Sequence, residues 1–129
     1  MDIRQFRVVV RAHDFERTCR FYSETLSLPR LQSWDREEGR GALFAVGSGA
    51  IEVLGRPHGA GQGPDERYDA QGPDQKLVIV LVVSSAEKAY EELIFRNRNI
   101  PGGLKTGTDG SLAFETHDPD GVRIVFRQG

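Results

Sequence analysis

Apolar and polar residues follow a strand pattern and then a helix pattern near the start of the chain. Apolar residues at 6, 8 and 10 alternate with Arg7, Val9 and Arg11, which is the period of a β-strand. Phe15, Cys19, Tyr22 and Leu26 then recur at the spacing of one helix face. The pattern therefore predicts a strand followed by a single amphipathic helix, with these four side chains buried.

The predicted helix has a start signal and a stop signal. Asp14 is a suitable N-cap, because its carboxylate can accept hydrogen bonds from the free backbone N–H groups of the first turn. Pro29 prevents continuation, since its ring cannot sit in a helix interior. Three strands are predicted next, at about 30–35, 41–46 and 50–54, with glycine-containing turns between them.

The second half of the chain repeats this order. The segment 77–97 aligns with 6–26, and such a self-match indicates one supersecondary unit used twice. Its first seven residues, 77–83, are all apolar, which predicts a strand covered on both faces. Ser84 and Glu87 have the spacing of a capping box and predict the start of a second helix.

Three more strands complete the second copy, near 104–106, 112–117 and 122–127. The segment 118–121 reads Asp-Pro-Asp-Gly, which is the composition of a type I turn. The predicted element order is therefore βαβββ in each half of the chain.

This order predicts an α+β fold in a single domain, 1–129. Its first βαβββ module spans 1–55, a linker rich in glycine and proline spans 56–75, and the second module spans 76–129. The linker has few apolar residues to anchor it.

Composition narrows the function classes. The 129 residues are 38% hydrophobic and 28% charged with a net charge of −2, which gives no field that favours nucleic acid or a membrane surface. No apolar run approaches the roughly 20 residues of a transmembrane helix. Cys19 is the only cysteine, so an internal disulfide is excluded and we expect a reducing, cytoplasmic setting with an inert core thiol.

Three motifs carry a family resemblance. The segment 11–22 (RAHDFERTCRFY) resembles the pattern V-x-D-x-x-x-S-x-x-F-Y, 50–53 (AIEV) resembles I-E-L, and 114–124 (FETHDPDGVRI) resembles F-x-x-D-P-D-G-x-x-I-E. In this order they resemble the vicinal oxygen chelate superfamily of glyoxalase I, bleomycin-resistance proteins and extradiol dioxygenases. The resemblance implies curved mixed sheets around an open cavity, and commonly a homodimer.

The resemblance also implies four metal-ligand positions, which correspond here to Arg7, Glu52, Val78 and Val125. Only Glu52 can bind a metal, because arginine stays protonated and valine has no donor atom. We therefore predict no metal site. Our hypothesis is that Arg7 takes the place of the cation and pairs with Glu52; the alternative is that Arg7 extends into solvent.

The predicted function is metal-independent binding of a small anionic or aromatic molecule, as in antibiotic-sequestering relatives. Arginines would attract a carboxylate or phosphate, and Trp34 would stack on a planar ligand or else lie in the core or a dimer interface. The candidate ligand-binding residues are Arg7, Val9, Arg11, Trp34, Glu52, Leu54, Val78, Val80, Arg123 and Val125.

Two alternatives remain open. One is an enzyme of the glyoxalase or dioxygenase type, with Glu52 as a catalytic base or with a divalent metal ion at an off-pattern site that includes His117 or His58. The other is a structural or regulatory protein with a vestigial cavity. The predicted function needs no cofactor, and its expected partners are a small-molecule ligand and a second copy of the chain.

Overall fold

The computed structural model of the protein describes residues 2, 4–57, 68, 78–96, 98–107 and 109–129. Most of the predicted linker, 56–75, therefore lies outside the described residues. The chain divides into two compact units, Met1–Gln71 and Gly72–Gly129, each of which contains one βαβββ module.

The first module is a four-stranded mixed sheet with one helical segment. The sheet order is β1-β4-β3-β2, with β1 parallel to β4 and the other pairs antiparallel. The elements are β1 (Arg7–Arg11), α1 (Phe15–Arg20), a π-helical segment (Phe21–Thr25), β2 (Arg30–Arg36), β3 (Gly39–Val46) and β4 (Gly49–Gly55).

The second module has the same topology. Its sheet order is β5-β8-β7-β6, again with one parallel pair, β5 with β8. The elements are β5 (Val78–Val83), α2 (Ala86–Phe95), β6 (Lys105–Thr106), β7 (Leu112–His117) and β8 (Arg123–Gln128). The predicted α+β fold of two βαβββ modules with mixed sheets is confirmed. None of the described helices is long and apolar enough to cross a membrane.

Each helix covers one face of its own sheet, which we call the helix face. In the first module Tyr22 and Phe44 are both fully buried, with ring centroids 6.0 Å apart. In the second, Phe114 stacks on Phe126 at 4.7 Å and meets the edge of Tyr90 at 5.5 Å. These aromatic contacts are the centres of the two cores.

Cys19 is buried at 3% exposure on the helix face of the first module, as its position on the apolar stripe predicted. Burial raises the pKa of its thiol. A protonated, inaccessible thiol is a poor nucleophile, so Cys19 contributes to packing.

The prediction of one continuous helix is wrong. The α-helix ends after six residues, and Phe21–Thr25 has the wider π-helical turn, in which the Leu26 N–H donates to the Phe21 carbonyl oxygen at 3.0 Å. This turn buries both Phe21 and Tyr22, at 4% and 0% exposure. Ser27, with a φ of 56°, follows the end of the helical segment.

The predicted capping box at Ser84 is also wrong. The N-cap of α2 is Ser85, whose hydroxyl accepts from the Lys88 N–H at 3.2 Å. Gln128 accepts from the Ala86 N–H at 3.0 Å, so a side chain from β8 satisfies another free donor of the first turn. By contrast, Asp14 caps α1 as predicted, and accepts from the Arg17 N–H.

The prediction that the strand at 77–83 is covered on both faces is wrong. Within β5, Ile79 is buried, but Val78, Val80 and Val82 are 36%, 45% and 59% exposed. Only the helix face of this strand is covered, so the continuous apolar run does not reflect burial on both faces.

The predicted turn at 118–121 is confirmed. The Gly121 N–H donates to the Asp118 carbonyl oxygen at 3.0 Å, and the Asp118 carboxylate accepts from the N–H groups of Asp120 and Val122 at 2.8 and 2.9 Å. This buried carboxylate fixes the connection between β7 and β8.

Substitution of the two adjacent serines distinguishes the observed cap from the predicted one. We expect Ser85→Ala to lower the free energy of unfolding by about 1 kcal/mol, because it removes the N-cap acceptor. Ser84→Ala is the matched control and should change it little, since Ser84 is exposed and outside the cap. Urea unfolding measures both, and a larger loss for Ser84→Ala would contradict this assignment.

Candidate ligand-binding sites

Strand register places several predicted ligand residues on one surface of the first module. Val9 lies beside Glu52 and Arg11 beside Leu54 in the β1–β4 pair. Antiparallel pairing continues the second row through β3 to Trp34. These side chains lie on the sheet face that α1 does not cover, which we call the opposite face.

The predicted contact between Arg7 and Glu52 is present on this face. The Arg7 Nη1 donates to Glu52 Oε1 at 2.7 Å, with the two side chains 40% and 18% exposed. Gln5, which the sequence analysis did not single out, accepts from the Arg7 Nε at 2.6 Å. Gln5 and Glu52 therefore hold the guanidinium from two sides, and the alternative of an arginine extended into solvent is wrong.

The residues at the four implied metal-ligand positions do not fit a divalent ion. Glu52 is the one carboxylate among them, and its Oε1 already accepts from Arg7. The valines at the other two positions have no donor atom. Among the described residues, no three His, Cys, Asp or Glu side chains come together in a group that could hold a metal. These four positions thus supply one carboxylate, and that carboxylate is paired with the fixed guanidinium of Arg7.

Trp34 lies flat on the opposite face of the first module because its neighbour is a glycine. A Cβ on Gly41 would lie 2.0 Å from the indole Cζ2, so any side chain there would displace the ring. The two residues are paired in the β2–β3 register. The glycine at this position therefore leaves room for the indole to form part of a surface cavity.

The cavity beside Trp34, which we call the Trp34 pocket, has a volume of about 370 Å³. It includes two of the predicted residues, Trp34 and Leu54, whereas Arg7, Val9, Arg11 and Glu52 share the sheet face but are not among its lining. The sequence analysis missed all of the others. Arg36 lies two positions from Trp34 on the same strand, a spacing that could have identified it. The lining residues are Trp34, Arg36, Glu38, Gly39, Arg40, Leu54, Gly55 and Tyr68.

Arg40 is held by protein groups at the edge of this pocket. Its Nη1 lies 2.5 Å from Glu16 Oε1, its Nε donates to the Arg56 carbonyl oxygen at 2.8 Å, and its guanidinium lies 4.9 Å from the centre of the Phe15 ring. A hydrogen bond from its own backbone N–H and the contact with Arg40 lower the pKa of the Glu16 carboxyl. Arg40 therefore has a structural role that joins α1 to β3.

Tyr68, which lines the Trp34 pocket, also contacts an arginine. The Arg56 guanidinium lies 5.9 Å from the centre of the Tyr68 ring. Arg36 is exposed and has no ion-pair partner in the part of the chain that the structure describes. The pocket thus combines an indole, an aliphatic side chain, an accessible guanidinium and the carboxylate of Glu38.

The predicted residues of the second module lie in its own unit. Val78 and Val80 are exposed on β5, whereas Arg123 and Val125 line a cavity of about 250 Å³ together with Lys105 and other residues.

The off-pattern metal alternative depends on groups near this cavity. Glu115 is ion-paired with Arg123, and His117 is exposed at the end of β7. His58 lies outside the described residues.

Comparison with known proteins places the fold in a family. A family model of the Glyoxalase/Bleomycin resistance protein/Dioxygenase superfamily matches residues 4–126. The chain belongs to this superfamily. No curated protein sequence matches it.

Several solved structures share the fold of this chain at low sequence identity. The protein SMU.1112c has a TM-score of 0.79 at 15% identity, over 94% of this chain and 95% of that one. A lactoylglutathione lyase from Agrobacterium tumefaciens has a TM-score of 0.68 at 15% identity, over 96% and 92%. A superfamily member from Sphaerobacter thermophilus has a TM-score of 0.70 at 17% identity, over 97% and 96%. At these identities the similarity establishes the fold alone.

The contact between Arg7 and Glu52 can be tested by its effect on stability. We expect Arg7→Met to lower the free energy of unfolding by about 1 to 2 kcal/mol, between the values for exposed and buried ion pairs, because Glu52 would lose its partner. Arg4→Met is the control, since Arg4 pairs with Asp2 at the surface and both are more than three-quarters exposed. Urea unfolding that gives equal losses for the two variants would contradict a stabilising role for the pair.

Proposed function

We propose that this superfamily member binds a small aromatic anion without a metal ion. The observation that carries the proposal is the Trp34 pocket, in which an indole held flat over Gly41 lies beside Leu54 and Arg36. Ligand cavities in proteins combine apolar surface with a few polar groups that fix the orientation of the ligand, and both kinds of group line this pocket. Its volume of about 370 Å³ suits a ligand of one or two rings.

The indole supplies the aromatic preference. Aromatic rings pair in offset or edge-on arrangements that contribute roughly 0.5–1.5 kcal/mol beyond the burial of apolar area. Because Gly41 has no side chain, Trp34 needs no rearrangement to present its ring. Leu54, which lies opposite Gly41 in β4, provides an aliphatic surface beside the ring.

Arginine supplies the preference for an anion. Arg36 follows Trp34 by two positions, so the register places both side chains on the same sheet face. A guanidinium can donate two parallel hydrogen bonds to a carboxylate. Arg11 lies at the other end of the row that runs through Leu54 and Gly41 to Trp34, roughly 14 Å away at the usual strand spacing. A longer ligand would reach that second cation.

The pairing of Arg7 with Glu52 supports metal independence. A base or metal-ligand role for Glu52 would have to break this contact or use the second carboxylate oxygen. The enzymatic alternative, the contributions of Val78, Val80, Arg123 and Val125, the homodimer and the cytoplasmic location stay predictions.

Three small probes distinguish the contribution of the ligand's aromatic ring from that of its negative charge. We expect benzoate to bind more tightly than either benzyl alcohol, which lacks the charge, or acetate, which lacks the ring. Trp34 is the only tryptophan in the sequence, so its fluorescence reports on the pocket directly. Benzoate binding should be unchanged after treatment with a chelator. Equal responses to the three probes, or loss of benzoate binding after chelation, would contradict the proposal.

Variants then assign the binding to the pocket. Isothermal titration calorimetry should show benzoate affinity about tenfold weaker for Arg36→Met, a loss typical of one hydrogen bond to a charged group. Trp34→Leu should weaken it by removing the ring, and Gly41→Ala by displacing the ring. Arg20→Met, on the exposed side of α1, is the control. An Arg36→Met affinity equal to that of the control would place the anion elsewhere.

A further inference from the structure

The two modules have different side chains at equivalent strand positions. Trp34 on β2 pairs with Gly41, and Lys105 on β6 pairs with Ala113. In the first module the indole fills the space over Gly41. In the second module Ala113 and Lys105 both line a cavity.

We propose that the cavity of the second module, the Lys105 pocket, is a separate binding site for a small aliphatic carboxylate. Its volume is about 250 Å³. Its lining includes both cationic groups and apolar carbon. The residues that carry the argument are Pro101, Lys105, Ala113, Glu115, Arg123 and Val125.

Charge in this pocket favours one negative group. Arg123 is ion-paired with Glu115, so these two side chains are together neutral. Lys105 has no carboxylate partner among residues that the structure describes. The net charge of the three side chains is therefore +1 (two cations and one anion), which a monoanion would balance. The ion pair also fixes the guanidinium, whose remaining N–H groups can donate to the same ligand.

The position of Lys105 is defined by a glycine in the preceding loop. A Cβ on Gly102 would lie 2.8 Å from the Lys105 Nζ, so the ammonium group folds back over this residue. Gly102 has a φ of 85°, in the left-handed region that glycine adopts without strain. The loop thus leaves space for the ammonium group beside the cavity.

The apolar part of the pocket limits the size of the ligand. Val125 and Ala113 lie on the sheet, and Pro101 closes the cavity from the loop. Lys105 occupies the strand position that Trp34 has in the first module. The aromatic residue of the lining is Phe114, whose ring stacks on Phe126 in the core. A short branched aliphatic acid would match the apolar surface and the charge together.

Isobutyrate and its neutral amide, isobutyramide, test this site. In ¹H–¹⁵N spectra of the full chain we expect isobutyrate to shift the amide signals of Thr106, Gly107 and Ala113, and isobutyramide to shift them much less. Lys105→Met should weaken isobutyrate binding at least tenfold, whereas Lys88→Met, an exposed lysine of α2, should leave it unchanged. Equal weakening by both variants would indicate nonspecific attraction and overturn the proposal.

Two further variants distinguish loss of this site from loss of folding and from failure of the proposed function. Ala113→Leu fills the cavity while it keeps both cations, and should abolish the isobutyrate shifts with the rest of the spectrum preserved. Trp34→Leu should leave isobutyrate binding intact, because the Trp34 pocket is a different cavity. Unchanged binding in Ala113→Leu, or loss of binding in Trp34→Leu, would overturn the Lys105 pocket. Failure of benzoate to bind would contradict the proposed function of the Trp34 pocket but would not affect the proposal for the Lys105 pocket.

Discussion

Parallel pairing of β1 with β4 places Arg7 and Glu52 on one face of the first sheet, and their contact determines which chemistry that face can support. A carboxylate at this position needs a positive partner, because an isolated charge loses solvation there. The guanidinium at 2.7 Å provides it, and Gln5 holds the guanidinium in place. The superfamily fold is thus retained with an organic cation at the carboxylate, and the binding that we propose involves side chains farther along the sheet.

The same alternation divides each module into a helix face and an opposite face. Tyr22 and Phe44 in one module, and Phe114 and Phe126 in the other, form the cores under the helices. On the opposite faces an edge strand meets a small residue, Gly41 beside Trp34 and Ala113 beside Lys105. The cores thus lie on the helix faces, and the binding that we propose involves the opposite faces.

Sequence periodicity was sufficient for the fold because backbone geometry returns a side chain to the same face every two residues in a strand and about every 3.6 in a helix, so the spacing of apolar residues distinguishes the two. It failed where local geometry determines which of two adjacent residues caps a helix. Both serines before α2 could be the N-cap, and the hydrogen bond from the Lys88 N–H identifies Ser85. It also failed for β5, where apolar composition does not reveal exposure. For the site, the family resemblance implied that Arg7 and Glu52 are neighbours, and charge complementarity then predicted their contact. Gln5 and Tyr68 could not be predicted, because their positions depend on segments without a periodic pattern.

The central claim is that Arg7 has replaced a metal ion as the partner of Glu52. Elemental analysis by mass spectrometry, after incubation with zinc, nickel, iron and manganese and then dialysis, tests it most directly. The account predicts far less than one metal ion per chain, with the same content in Glu52→Gln. One ion per chain that disappears in Glu52→Gln would contradict it.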